Sequence, residues 1–155
     1  MHKPRLQRLP RLYTACPVYF ITACTHNRTC LLGNATIHNS FLNFCRRAGD
    51  RGVFVGRYVV MPDHVHLFVA FSPGSMSLSA WIKSLKNSLS QTLRESNISS
   101  PHWQKGFFDH VLRSQESYSE KWAYVLLNPV RAGLVSHSQE WLYQGEIHPL
   151  QLDPL

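Results

Sequence analysis

The chain has 155 residues, 44% hydrophobic and 16% charged, with a formal net charge of +7 and a pI near 9.5. Such a composition excludes bulk disorder, the length suits one domain with its own core, and no run reaches the roughly 18 apolar residues of a membrane span. The excess of positive charge favours a polyanionic partner, with nucleic acid first, because an arginine fork binds two phosphate oxygens at once.

Residues 1–14 carry Lys3, Arg5, Arg8 and Arg11 interspersed with Pro4 and Pro10 and are expected to form a basic arm. No apolar stretch of the secretory kind follows it, so the expected location is the bacterial cytoplasm, in association with the nucleoid. Cys16, Cys24, Cys30 and Cys45 lack CxxC spacing and are expected as reduced, partly buried thiols. Residues 18–25 read as a strand, with Val18, Phe20 and Thr22 alternating with Tyr19, Ile21 and Ala23. Ile37, Phe41, Phe44, Cys45 and Ala48 then recur at helical spacing and stop before Gly49 and Gly52. Residues 53–61 are rich in Val, Phe and Tyr and predict a second strand; Pro62-Asp63 breaks it, and residues 64–71 predict a third, paired as a hairpin. A second helix follows, striped by Leu78, Trp81, Ile82, Leu85, Leu89 and Leu93. Lys83, Lys86 and Arg94 line its other side, where charges ordinarily mean a solvated face. A fourth strand is predicted within 103–112, and a helix over 117–127 that stops before Pro129.

The order strand, helix, strand, strand, helix, strand is that of a ferredoxin-like β-α-β-β-α-β sandwich, an α+β fold. Its four-stranded antiparallel sheet carries two helices on one face, with an added helix near the C-terminus. The expected domain covers 15–136, with a tail over 137–155 in which no pattern is legible.

His64 and His66 are one residue apart on a strand, so both rings point to one face with Cα atoms about 6.6–7 Å apart, close enough to share an ion. Two imidazoles rarely complete a catalytic metal site, so a third ligand is expected. Asn128 is a candidate because Tyr124 lies one helical turn before it, which puts a carboxamide and a phenol on one face. Tyr118 and Tyr143 are rivals to Tyr124, but the positions four residues later hold Trp122 and Ile147. A phenol beside a divalent cation can attack a phosphodiester. Ligand softness alone also admits zinc.

Several blocks carry a resemblance. The run Tyr58 to Phe68 looks like the histidine–hydrophobe–histidine signature of the HUH single-strand nucleases, and Met61-Pro62-Asp63-His64-Val65-His66-Leu67 more narrowly resembles the IS200-like tyrosine transposases. Trp103-Gln104-Lys105-Gly106-Phe107-Phe108-Asp109-His110-Val111-Leu112-Arg113 is similar to a block of the same family. Tyr124 together with Asn128-Pro129-Val130-Arg131-Ala132-Gly133-Leu134-Val135 resembles the ending of its REP-associated branch, and Thr25-His26-Asn27-Arg28 a block after its first strand. The resemblance implies that His64 and His66 bind Mg²⁺ or Mn²⁺, that Asn128 completes the protein ligands, and that Tyr124 forms a 5′-phosphotyrosine link. The implied substrate is single-stranded DNA beside hairpins or palindromic repeats, handled by a monomer or homodimer. Arg28, Lys83, Lys86, Lys105, Arg113 and Arg131 are the candidate DNA contacts. Many members of the REP branch have Asn where Asp63 stands; Asp63 is expected to point away from the histidines and to assist the turn. The competing readings are a non-catalytic DNA- or RNA-binding module on the same fold and a metal-dependent nuclease that uses water.

Overall fold

The computed structural model describes residues 17–152, so the expected basic arm and Cys16 lie outside the described residues. Within them the chain forms β1 (Val18–Cys24), α1 (Ala35–Ala48), β2 (Val53–Val60), β3 (His64–Phe71), α2 (Leu78–Glu95), β4 (Phe108–Leu112), α3 (Gln115–Leu126), α4 (Asn128–Arg131) and β5 (Gln144–Glu146), with short 3₁₀ turns between some of them. Each long helix starts on a side-chain cap that takes up an otherwise orphaned amide: Asn34 accepts from Ile37, Ser77 from Ala80 and Ser114 from Ser117.

The sheet runs β4-β1-β3-β2-β5 and every pairing is antiparallel. Its first four strands have the ferredoxin-like order expected. One face buries Ile21, Val55, Val65, Leu67 and Val69 under α1 and α2, whose contributions include Phe41, Trp81, Leu85 and Leu89. Each such fully buried side chain contributes about 1.5–3 kcal/mol. The opposite face carries Phe20, Thr22, His64, His66 and Phe68. It is partly roofed by α3, through Tyr118, Trp122 and Val125.

A register shift in β2 between Val55 and Tyr58 makes this seating possible. Val53 and Val55 share a face with Tyr58 and Val60, so the period of two is broken once. At the shift, a Cβ on Gly56 would lie 2.6 Å from the Tyr118 hydroxyl and 2.7 Å from Leu150. Glycine lets α3 and the C-terminal segment close on the sheet there.

The fifth strand differs from the four expected. Gln144-Gly145-Glu146 has no apolar alternation, and it is a strand because the outer edge of β2 supplies partners. Val60 donates to the Tyr143 carbonyl at 2.8 Å, and the amides of Ile147 and His148 donate to Gly56 and Val55. Leu150 and Leu152 are then buried with Phe54, Phe68 and Tyr118. Cys24 and Cys45 are buried free thiols, and Cys30 is an exposed one. Among the described residues no helix is long and apolar enough to cross a membrane.

Candidate metal and tyrosine site

The turn between β2 and β3 is held from outside. Its Pro62 carbonyl accepts from Leu31 and Leu32, and its Asp63 carbonyl accepts from the amide and the hydroxyl of Thr25, a fully buried residue. These bonds fix where β3 begins, and therefore where His64 sits.

His64 and His66 project to the same face, with their Nε2 atoms 3.1 Å apart. Both Nδ1 atoms are already occupied. His64 Nδ1 donates to the Asp63 carboxylate at 2.8 Å, and His66 Nδ1 meets the Thr22 hydroxyl at 2.8 Å. A carboxylate only accepts, so His64 keeps its proton on Nδ1 and presents a bare Nε2. The Thr22 hydroxyl donates or accepts, so it serves His66 in either tautomer. When His66 donates Nε2–H to His64, Thr22 donates to Nδ1; when His66 turns its Nε2 lone pair to an ion, Thr22 accepts from Nδ1–H instead. Phe20 stacks on His66 with ring centroids 5.2 Å apart and so fixes its plane.

Electrostatics keep both rings neutral. Burial pushes His66 down to about 3, and the neighbouring His64, Arg28, Lys121 and Arg131 add to that. Burial also lowers His64, against the opposing pull of Asp63. For Asp63 burial acts upward, but hydrogen bonds from Arg28 and His64 outweigh it and hold the carboxyl below its ordinary value. Arg28 Nε reaches Asp63 Oδ2 at 2.8 Å, which raises the guanidinium further. Two neutral imidazoles with second-atom partners and converging lone pairs are a donor pair fit for a divalent cation. Adjacent ligands of one ion at about 2.1 Å subtend about 3 Å.

Asp63 differs from expectation here. Its carboxylate turns back onto His64 because residue 63 belongs to the turn, where strand alternation does not operate. Thr22 and Phe20 are further site residues that motif reading missed. Their signal was the register: on an antiparallel partner Thr22 falls opposite His66.

Tyr124 lies in the last turn of α3 and is 64% exposed. Asn128 opens α4 one turn later, beyond a break at Leu127. Arg131 ties the two together. Its Nη2 donates to Asn128 Oδ1 at 2.9 Å and to the Tyr124 carbonyl at 2.6 Å, and its guanidinium carbon lies 4.1 Å from the Tyr124 ring centre. The α3 helix is seated on the histidine face, with Val125 against Val59 and Met61. Among the described residues no hydrogen bond or ring contact joins Tyr124 or Asn128 to the imidazoles, and no third His, Cys, Asp or Glu completes a metal-holding group with them.

The family described as "Transposase IS200 like" matches this chain over residues 15–124. The chain belongs to the IS200-like transposase family. It is 27% identical over 92 residues to a REP-associated tyrosine transposase of Escherichia coli K12, covering 59% of this chain and 53% of that protein. The chain thus spans about half of that relative. An uncharacterised Haemophilus influenzae protein is 21% identical over 162 residues, covering 84% of this chain and 90% of its own length. In structure the chain is similar to a REP-associated tyrosine transposase bound to a REP hairpin, with a TM-score of 0.68 at 22% identity, over 83% of this chain and 75% of that one. That likeness establishes the fold. For an IS200-like chain the family match stops at Tyr124, so Asn128 and Arg131 lie beyond it.

The candidate DNA contacts fall into three groups. Arg28 and Arg131 are engaged beside the site, with Asp63 and with Tyr124 and Asn128. Lys86 spends its ammonium on the carbonyls of Gln104 and Gly106, at 3.0 and 2.5 Å, and so braces the loop before β4. Lys83 is exposed on α2, behind the sheet, whereas Lys105 and Arg113 are exposed at the two ends of β4.

Proposed function

We propose that this chain is a DNA strand transferase that cleaves and rejoins single-stranded DNA beside hairpins through Tyr124. The observation that carries the reading is the 3.1 Å convergence of the two Nε2 atoms on the sheet face where α3 is seated, in a chain of this family. His64, His66 and the Asn128 carboxamide would hold Mg²⁺ or Mn²⁺, in which case Asn128 Oδ1 exchanges its Arg131 partner for the ion. A bound cation would polarise the scissile phosphoryl group and offset its developing charge. The Tyr124 phenolic oxygen forms the new bond to phosphorus as the bond to the 3′ oxygen breaks. The phenol gives up its proton to solvent and the departing 3′ oxygen takes one up. The phosphodiester persists as a 5′-phosphotyrosine, and a second 3′ hydroxyl reverses the step to join new ends. Asp63 and Thr22 orient the rings, and Arg131 orients the phenol. The DNA carries hairpin or palindromic repeats, and a bacterial nucleoid is the setting such a substrate implies.

The test is incubation with a hairpin oligonucleotide and Mn²⁺, followed by denaturing electrophoresis. Wild type should yield a covalent protein–DNA adduct, Tyr124→Phe none, and His64→Ala none. An adduct that survives Tyr124→Phe overturns the nucleophile assignment. A wild-type protein that binds the hairpin without forming any adduct overturns strand transfer in favour of a non-catalytic module.

A further inference from the structure

The edge strand β4 carries a pair of side chains that pack against nothing among the described residues. Its register against β1 sets Phe108 opposite Thr22 and His110 opposite Phe20. Directly opposed residues of an antiparallel pair share a face, so both project on the side of His66. Phe108 is 74% exposed, an extreme value for a phenylalanine in a strand, and His110 is exposed as well. Leu112, the next residue on that face, is buried against Val18 and Tyr118, so packing accounts for it and not for the other two.

The surroundings specify what would cover such a pair. Phe108 and His110 stand two residues apart, about 6.6–6.8 Å along the strand. Lys105 precedes them and Arg113 follows them, both exposed. Lys121 lies over the neighbouring Phe20, its Nζ 5.3 Å from the ring centre. The one carboxylate within the strand, Asp109, is opposite Ile21 and therefore belongs to the other face. Flat rings along a line bracketed by cations suit a chain that alternates planar groups with phosphates, which is single-stranded nucleic acid. One row of the sheet, Phe108–Thr22–His66, leads from this line straight to the histidine pair.

We infer that the exposed edge of β4 is a base-stacking track on which the single-stranded flank of the hairpin DNA is laid toward the histidine pair, with Phe108 as its main platform and His110 as its second. This rests on the proposed reading of the histidine face as a site for single-stranded DNA. The phosphates would run past Lys105, Arg113 and Lys121, and the contact tolerates sequence because every base has a π-face.

The test measures binding by fluorescence anisotropy in the non-cleaving Tyr124→Phe background. Its probes are a blunt hairpin and the same hairpin with a flank of about six nucleotides on the 5′ or the 3′ side. The flanked probe should bind more tightly than the blunt one. Phe108→Ala should weaken the flanked probe about tenfold, as loss of one stacked base does, and leave the blunt probe unchanged. Phe108→Trp should restore the affinity, and His110→Ala should give a smaller loss. A 5-iodouracil in the flank should photocrosslink to Phe108. Phe108→Ala with unchanged affinity for the flanked probe overturns the track, as does an equal loss on both probes or a Phe108→Trp no better than alanine. The adduct assay is scored separately on wild-type protein. If adduct formation fails but the flank effect is present, strand transfer falls and the track stands; the reverse outcome overturns only the track.

Discussion

The two halves of the candidate site are built to different standards. At the start of β3 the histidine pair is held from behind: Asp63 and Thr22 occupy both Nδ1 atoms, Phe20 covers a ring, and the preceding turn is tied to the loop after β1. At the end of α3, Tyr124 stands in solvent and its cluster depends on one exposed arginine. The difference follows from the elements. A central strand fixes its side chains through neighbours on both sides, whereas Tyr124 ends a helix at the break at Leu127, and Asn128 and Arg131 lie beyond that break. It also suits the proposed chemistry, in which ligands should be preorganised while the nucleophile must travel with its covalently linked DNA.

The largest expected effect attacks the rigid half. Asp63→Ala removes the carboxylate that fixes the His64 tautomer and takes from Arg28 its ion-pair partner. Loss of such an outer partner typically weakens metal affinity about 10–100-fold. Titration of Mn²⁺ by calorimetry should show that drop for Asp63→Ala. Asp63→Asn should bind within a few fold of wild type, because an amide oxygen still accepts from Nδ1. Equal affinities for wild type and Asp63→Ala would mean that the histidine pair is not organised by its surroundings, and the contrast between the two halves would disappear.

A smaller effect is expected from pH. In chelator-treated protein the native His66 ring takes up a proton only near 3, against an ordinary 6.5 in the unfolded chain. The unfolded state therefore binds more protons in this window, so stability is level above 6.5 and falls as pH drops below it. His64, His38 and His148 are lowered too, with burial the first cause in each, and act in the same direction. The depressed Asp63 contributes only nearer pH 4, as acid begins to protonate unfolded carboxylates. Between pH 6.5 and 5 the His66 share is about 1.6 kcal/mol. Urea unfolding across that range should show the decline, and His66→Gln should make it shallower by the His66 share. A wild-type profile without slope would place His66 in water, contrary to the packing of Phe20 and Thr22 around it.

These residues also mark what was legible in the chain. The ferredoxin-like order, the hairpin and the shared face of His64 and His66 follow from periods of 2 and 3.6, which are local. The Thr22 and Asp63 bonds depend on strand register and on a turn, and neither is a periodic signal. The seating of α3 depends on Gly56, whose missing side chain is informative only once Tyr118 and Leu150 are seen above it. β5 is invisible to patterning because a borrowed edge, not its own apolar residues, makes it a strand. Lys83 and Lys86 show the limit of reading charge: alike on one helix, one is exposed behind the sheet and the other holds a loop.

The smallest effect probes the loose half. Arg131→Ala deletes the ring contact and both hydrogen bonds at the α3–α4 junction, all of them exposed to solvent. A cation on an exposed aromatic ring is worth about 0.5–1 kcal/mol, so global stability should fall by only about 1 kcal/mol. The local consequence should be larger than the global one. Amides at 131–134, which close α4 and the turn after it, should exchange faster in Arg131→Ala, while those of β3 stay protected. Arg131→Lys should be intermediate, since an ammonium keeps the charge but not the planar fork. The adduct should still form, more slowly, because Tyr124 itself is intact. If exchange at 131–134 is unchanged, packing of α3 and not Arg131 holds the tyrosine segment. If β3 loosens as well, the two halves are a single cooperative unit, and the nucleophile cannot move without disturbing the ligands.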